Sequence, residues 1–241
     1  MKYMGSKKRF AKELLPIILK DRKPEQWYIE PMVGGANMID KVDGKRIGSD
    51  YNEDLINLLN GLSNGWTPKE SYTKEDYIKA KNGFNNCKIE TGYISINCSF
   101  GGKYWGRFAG KSNTKQGVRD YTNEAYKNVC KQAPLLKDVE FINCSYQDLE
   151  IPQNSMIYCD PPYANTYSDI EGYGKLNFNH IDFWEWCRVK TKQGHKVFVS
   201  EYKAPEDFKC VWEKETKSSL SANGKSGGNK LSTEKLFVYC G

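Results

Sequence analysis

The hydrophobic positions of this chain alternate between short apolar runs and helically spaced ones. The short runs predict strands at residues 27–30, 46–50, 139–143, 155–159 and 196–200. Helical spacing predicts helices over residues 7–20, with a kink or early end at Pro16, and around Leu55–Leu59 and Ile181–Val189. Residues 208–216 and 234–239 predict a closing antiparallel hairpin. Alternating strands and helices are typical of an α/β fold with a parallel sheet covered on both faces.

The periodic pattern is lost between residue 61 and residue 133. Asn, Gly, Lys and Tyr dominate this stretch, and no long apolar period runs through it. We therefore predict an inserted segment at residues 61–133, within a core formed by residues 1–60 and 134–241.

Three of the predicted strands run into an acidic residue, at Glu30, Asp50 and Asp160. Ligands bind open α/β sheets at the carboxyl ends of the strands, so these acids are expected to share one crevice. The loop at residues 31–36 contains two glycines, which allow a ligand to approach the backbone, and a helix is expected to begin there. Two alternatives stay open: Asp50 as the cap of the following helix, and Glu30 as a structural residue.

The most specific local signal is Asp160-Pro161-Pro162-Tyr163. Two prolines fix the backbone after a buried strand and leave a carboxylate and an aromatic ring on a rigid corner. A carboxylate can accept a hydrogen bond from an exocyclic amine, and a tyrosine ring can stack on a base that has left its helix. The alternative is a proline turn that only closes the strand.

Composition adds limits to this picture. The chain has 241 residues, 39% of them hydrophobic and 27% charged, which is ordinary for a soluble globular protein. No apolar run is long enough to cross a bilayer, and the first residues lack the order of a secretory signal, so a cytoplasmic protein is expected. The eight cysteines stand singly without zinc-site spacing, so we expect free thiols and no metal.

The net charge of +6 is mild, but basic residues concentrate in two stretches. Residues 101–119 carry five Lys or Arg side chains and no acid, interleaved with aromatic residues, and residues 216–230 are also free of acids. Basic, glycine-rich and aromatic loops suit a nucleic-acid backbone with exposed bases nearby. A solvated basic loop is the alternative.

The motifs together resemble one family. Residues 3–7 (YMGSK) resemble an aromatic-x-Gly-x-Lys element, residues 30–36 (EPMVGGA) a cofactor loop, and residues 50–56 (DYNEDLI) a D-x-N-x-x-L-I element. With residues 160–163 (DPPY), 221–224 (SANG) and 234–236 (EKL), they are similar to the Dam-like DNA adenine-N6 methyltransferases, D12 class and alpha group, of bacteria or phages. Met32 stands where that family has Phe, and Ala36 where it has Gly. Alanine is tolerable there unless the backbone requires a positive φ.

The resemblance implies a Rossmann-like S-adenosylmethionine-dependent methyltransferase sheet with a closing hairpin and an inserted target-recognition segment. It implies site-specific methylation of the N6 amine of a flipped adenine in double-stranded DNA by a monomer or weak dimer, with no membrane and no metal. Its catalytic residues would be Asp160, Pro161, Pro162 and Tyr163. Its cofactor site would comprise Tyr3, Gly5, Lys7, Glu30, Pro31, Gly34, Gly35, Ala36, Asp50, Tyr146 and Asp160. Its DNA contacts would be Asn97, Lys103, Tyr104, Trp105, Arg107, Lys111 and Asn223.

Other interpretations stay open at this point. Lys7 as a solvated lysine at a helix end and Tyr146 as a core aromatic are alternatives for single residues. For the whole chain, the alternatives are an RNA base methyltransferase that acts on an exocyclic amine, and a nucleic-acid-binding relative without activity. A cytosine carbon-5 enzyme would need a nucleophilic cysteine, commonly one that follows a proline, and no cysteine in this chain follows a proline. The target sequence and the biological role, such as protection from restriction, stay open.

Overall fold

The computed structural model describes residues 1–114, 117–163, 178–217 and 231–241. Its strands are β1 (Tyr28–Glu30), β2 (Arg46–Asp50), β3 (Lys111–Thr114), β4 (Gly117–Asp120), β5 (Val139–Asn143), β6 (Met156–Cys159), β7 (Lys196–Glu201), β8 (Phe208–Lys217) and β9 (Leu231–Tyr239). Its helices are α1 (Ala11–Ile18), α2 (Glu53–Ser63), α3 (Lys74–Lys81), α4 (Lys88–Asn97), α5 (Tyr121–Gln132) and α6 (His180–Lys192).

Seven strands form the central sheet in the order β5-β2-β1-β6-β7-β9-β8. The strands from β5 to β7 are parallel, while β9 pairs antiparallel with both β7 and β8. The order reverses between β1 and β6, so the crevice expected for a ligand lies at the carboxyl ends of these two strands. The predicted α/β fold with a mostly parallel sheet and a closing hairpin is confirmed.

The alternation of side chains along the strands fills a core on each face of the sheet. Tyr28 and Tyr158 belong to one buried cluster, which also contains the apolar face of α2. Their strand neighbours Ile29 and Ile157 belong to the other cluster, together with Phe183 of α6. The central strands are buried on both faces, which is why they appear in the sequence as continuous apolar runs.

The inserted segment contains regular structure, although its sequence has no long apolar period. It holds α3, α4, α5 and the β3–β4 hairpin, and the apolar residues of α4 belong to the same buried cluster as those of α2. Gly92 of α4 lies directly against α2: a Cβ atom there would be 2.0 Å from the carbonyl oxygen of Asp54. This contact allows the two helices to pack closely, and the division into residues 61–133 and a core stays a prediction.

Two further local predictions change. No helix begins in the loop after β1, where the nearest helical turn is a 3-10 turn at Ile39–Lys41. The predicted helix at residues 7–20 is split into a 3-10 turn at Lys7–Arg9 and the helix α1, which contains Pro16. Among the described residues, no helix has the length and apolar character needed to cross a membrane.

Candidate active site

The carboxyl ends of β2, β1 and β6 lie side by side, and each brings an acid to the same edge of the sheet. Glu30 is the last residue of β1, Asp50 is the last residue of β2, and Asp160 directly follows β6. Lys7 from the N-terminal residues and Glu234 from the closing hairpin reach the same edge.

A compact buried group surrounds Asp160, and we call Lys7, Asp160, Tyr163 and Glu234 the Lys7 cluster. The ammonium nitrogen of Lys7 lies 2.9 Å from Oδ1 of Asp160 and 3.7 Å from Oε2 of Glu234. It also lies 4.3 Å from the centre of the Tyr163 ring. The hydroxyl of Tyr163 donates to Oε2 of Glu234 over 2.9 Å. The solvated alternative for Lys7 is wrong, because its side chain is buried among these groups.

Burial and charge together set the protonation of this cluster. Burial raises the pKa of Asp160 above its ordinary value; the charge of Lys7 lowers it again and that of Glu234 adds to the rise. Burial alone would lower the pKa of Lys7, but Asp160 and Glu234 raise it above its ordinary value. Burial foremost, and the nearby carboxylates, raise the pKa of Tyr163 well above its ordinary value. Lys7 is therefore a cation, and the Tyr163 hydroxyl is a neutral donor.

The ring of Tyr163 is enclosed in this structure. It is 7% exposed, with Lys7 against it and Tyr202 packed at right angles with the ring centres 4.6 Å apart. A base can stack on this ring only after one of these neighbours shifts.

The glycine loop after β1 is packed beneath Tyr3. A Cβ atom on Gly34 would lie 2.8 Å from Cε1 of Tyr3, and one on Gly35 would lie 2.5 Å from Cβ of Tyr3. Gly34 also has a φ of +47°, which glycine adopts readily. The absence of side chains at Gly34 and Gly35 therefore allows Tyr3 to pack on the loop, in addition to any space that it leaves for a ligand.

Gln132 at the end of α5 holds the same loop from below. Its side-chain amide donates to the carbonyl oxygens of Gly35 and Ala36, each over 3.0 Å, and to Oδ2 of Asp40 over 2.9 Å. Its side-chain oxygen accepts from the Met1 amino group, which also donates to Asn37.

Asp50 is held by backbone amides. Its Oδ2 accepts from the amide of Gly34 over 3.1 Å, and its Oδ1 accepts from the amide of Asn52 over 3.0 Å. The cap of α2 is Asn52, whose side chain accepts from Leu55, so the capping alternative for Asp50 is wrong. Burial raises the pKa of Asp50, and the backbone bonds partly offset this rise. Two carboxylate oxygens offer about four acceptor positions, so Asp50 retains capacity for a vicinal diol such as a ribose.

Of two other predicted cofactor residues, Glu30 lies in the interior and Tyr146 is partly buried against the core. Glu30 is buried, accepts from the Tyr28 hydroxyl over 2.9 Å, and has a pKa raised well above its ordinary value, chiefly by burial. Tyr146 packs against Phe178, Phe183 and Trp186 with ring centres 5.4 to 5.7 Å apart, and burial raises its pKa to about 12. These contacts match the structural alternative for Glu30 and the core alternative for Tyr146.

The predicted DNA contacts fall into different environments. Asn97 is buried and donates to the Met1 sulfur over 3.5 Å, so the structure contradicts it as a direct DNA contact. The hydroxyl of Tyr104 donates to Asp54 over 2.8 Å, and Trp105 packs against Tyr77. Arg107 and Lys111 are exposed, whereas Lys103 is half-buried. Asn223 and residues 221–224 lie outside the described residues.

The sequence interpretation assigned no site role to Glu234, Gln132 or Tyr202. Glu234 had a signal, since it stands in the element resembling the family's closing hairpin. Gln132 and Tyr202 had none, because each reaches the site only through the fold. Across the described parts of the chain, no three His, Cys, Asp or Glu side chains form a group that could hold a metal ion.

The glycine loop also contains a strained residue, which leads to a first prediction. Ala36 has a φ of +53° and is buried. Replacing it with glycine removes a methyl group but relieves a strain of about 1 kcal/mol. We expect Ala36→Gly to change the free energy of unfolding by less than about 0.5 kcal/mol. The matched change Ala125→Gly, within α5, should cost about 1.5 kcal/mol. Urea unfolding followed by circular dichroism measures both, and equal losses would contradict the strain at Ala36.

Comparisons with known proteins complete the description. A family model described as D12 class N6 adenine-specific DNA methyltransferase matches residues 3–222. No curated protein matches the chain. Among solved structures, the chain is similar to the tRNA (m1A58) methyltransferase TrmI from Aquifex aeolicus, with 11% identity and a TM-score of 0.39. That likeness covers 95% of this chain and 68% of the other.

Proposed function

Because this chain belongs to the D12 class N6 adenine-specific DNA methyltransferase family, we propose that it methylates adenine at the corner formed by residues 160–163. The methyl donor is S-adenosylmethionine, and the acceptor is the N6 amine of an adenine that has left double-stranded DNA. The observation that carries the proposal is the buried ion pair of 2.9 Å between Lys7 and Asp160. It holds a carboxylate at the point where the sheet order reverses.

Asp160 acts on the acceptor amine. The lone pair of that amine is delocalised into the ring, so hydrogen bonds from its two hydrogens to Asp160 and the Pro161 carbonyl favour a pyramidal, nucleophilic nitrogen. The Lys7 ammonium contacts Oδ1 of Asp160, so Oδ2 is the oxygen that accepts the hydrogen bond from the amine. Methylation leaves the amine with one proton too many, and Asp160, kept as a carboxylate by Lys7, is its first acceptor.

The cofactor site comprises the strand ends beside this corner. When bound, the cofactor supplies an electrophilic methyl group on a sulfonium. Asp50 accepts from two ribose hydroxyls with the acceptor capacity that its backbone bonds leave. The other proposed contributors are Tyr3, Gly5, Lys7, Pro31, Gly34, Gly35 and Ala36, while the buried Glu30 and the partly buried Tyr146 support the site.

Tyr163 is proposed to receive the flipped adenine, which gives a second prediction. Extruding a base costs a few kcal/mol, and stacking on an aromatic ring returns roughly 1 to 3 kcal/mol. We expect Tyr163→Ala to lower the rate about tenfold more on paired DNA than on DNA with a mismatch at the target, where extrusion costs less. Single-turnover rates on the two substrates measure this difference. Equal losses on both would remove the flipping role and leave Tyr163 as a structural residue.

The experiment that tests the function uses purified protein and S-adenosylmethionine labelled in its methyl group. We expect label on duplex DNA as N6-methyladenine and none on structured RNA. Modification-sensitive sequencing of plasmid DNA from cells that express the chain then gives the target sequence. Label on RNA alone would establish the RNA base methyltransferase instead, and cofactor binding without any transfer would establish an inactive relative.

A further inference from the structure

A groove separates one face of α3 from the loop that follows α4, and we call it the α3 groove. It encloses about 440 Å³. Its lining residues are Lys74, Tyr77, Ile78, Lys81, Asn82, Gly106, Arg107 and Phe108. The helix residues of this set recur at helical spacing, so they form one continuous face of α3.

The groove has a cationic rim around an apolar centre. Lys74, Lys81 and Arg107 are exposed, and none of them forms an ion pair within the part of the chain that the structure describes. No acid is among the described lining residues. Between the cations, Ile78 is 46% exposed above Tyr77, whose hydroxyl donates to the Gly106 carbonyl over 2.6 Å. Lys81 donates to the Trp105 carbonyl over 3.4 Å, so its ammonium is held beside the loop that forms the opposite wall. Three cations without a carboxylate partner among the described residues, set around an apolar centre, are complementary to a polyanion.

The spacing of the two lysines suits a DNA strand. Seven residues of an α-helix span about 10.5 Å at 1.5 Å per residue. The phosphates of one DNA strand wind around the helix axis as well as rising along it, so this span, together with the length of the two lysine side chains, reaches phosphates about two steps apart. Lys74 and Lys81 can therefore contact phosphates of one strand, with Arg107 facing them from the opposite wall.

The groove is also joined to the candidate active site by backbone contacts. The loop that contains Gly106 begins beside the N-terminal residues, where the amide of Met4 donates to the Gly102 carbonyl over 3.2 Å. A Cβ atom on Gly102 would lie 2.8 Å from Tyr3, which packs on Gly34 and Gly35. The loop that forms one wall of the groove thus contacts the N-terminal segment, which in turn packs on the glycine loop.

We propose that the α3 groove binds the sugar-phosphate backbone of DNA beside the methylation target, through Lys74, Lys81 and Arg107. This proposal rests on the proposed function, and it identifies the surface that binds the DNA next to the target base. It also adds α3, which no sequence motif marked, to the DNA-binding surface.

The test compares two double variants of the full chain. Lys74→Gln/Lys81→Gln removes the two groove lysines and keeps Arg107, and Lys12→Gln/Lys20→Gln removes two exposed lysines in and just beyond α1 as a matched control. Binding of a duplex is measured over a series of salt concentrations. Each phosphate contact contributes about 0.9 to the steepness of the slope of log K against log salt. The groove variant loses two such contacts, so its slope should be about 1.8 less steep than that of wild type. Its single-turnover rate at saturating DNA should stay within about twofold of wild type, and the control should match wild type in both.

The outcomes separate the groove from the function. If the wild-type protein methylates DNA and the groove variant has an unchanged salt slope, the DNA-binding role of the groove is wrong and the proposed function is unaffected. A loss of affinity that is equal at every salt concentration, or equal in the control variant, would also overturn that DNA-binding role. If wild type neither binds nor methylates DNA, the proposed function and the groove fall together.

Discussion

Asp160→Asn is expected to lower the single-turnover rate of methyl transfer by about 10²- to 10³-fold, the usual loss when one group that stabilises a transition state is removed. Asparagine keeps the size of the side chain but presents one acceptor oxygen without charge to both Lys7 and the amine. The Lys7 ammonium keeps Glu234 within 3.7 Å, so the cluster retains one ion pair. Rapid-quench assays with labelled methyl donor at saturating DNA measure the rate.

The control for this prediction is Asp43→Asn, because Asp43 is an exposed acid that precedes β2, at the edge of the sheet opposite the Lys7 cluster. It should leave the rate unchanged. Thermal unfolding and methyl-donor binding separate lost chemistry from lost structure. If Asp160→Asn is folded, binds the methyl donor and transfers methyl groups at the wild-type rate, Asp160 has no catalytic role.

Glu234→Leu is expected to lower the same rate by about 10- to 100-fold, although Glu234 does not touch the substrate in our proposal. Its loss leaves the buried Tyr163 hydroxyl without the acceptor at 2.9 Å, at a cost of about 1 to 3 kcal/mol. The loss lets Tyr163 and Lys7 reorient. If this energy is added to the activation barrier, the rate falls by about one or two powers of ten. Tyr163→Phe should cause part of the same loss. The two changes combined should cost less than the sum of their separate effects, because both remove one contact.

The conservative variant Glu234→Gln distinguishes a positioning role from general support of the fold. Glutamine still accepts from Tyr163, so most of the rate should remain at neutral pH. The active form of Asp160 is the carboxylate, and activity is lost as the pH falls through its raised pKa. The charge of Glu234 contributes to that rise, so its removal should move the acid limb of the pH–rate profile to lower pH. Glu215→Gln, an exposed acid on β8, is the control. A Gln variant with the wild-type profile, or additive losses in the double variant, would contradict this role.

The central strands β1 and β6 could be predicted from the sequence because they are buried on both faces and therefore appear as short apolar runs. The edge strand β5 instead alternates between buried and exposed positions at its start, and β2 and β5 begin and end at the predicted residues. The helices of the inserted segment had no comparable signal. α3 buries only Tyr77 and Ala80, and the capping box formed by Thr73 and Asp76 stabilises its first turn. α4 contains β-branched residues and glycine, which are poor helix formers, and packing against α2 stabilises it instead.

The candidate site divides in the same way. Motifs marked Lys7, Asp160 and Tyr163 because short patterns carry them, and the structure brings these three residues together. The interior position of Asn97 follows from the face of α4 on which it lies, which local sequence does not specify. Gln132 supports the glycine loop from nearly a hundred residues away, so only the three-dimensional fold reveals its contacts.

The close approach of α4 to α2 restricts which segments could replace residues 61–133, the segment that we predict to recognise the target sequence. At 2.0 Å from the Asp54 carbonyl, any side chain at position 92 would force the two helices apart. A recognition segment grafted from a relative would therefore need a glycine at this point and an apolar face that matches α2. Exchange of whole segments is thus disfavoured, and changes of specificity are expected to arise by substitution of exposed residues on an unchanged helical framework.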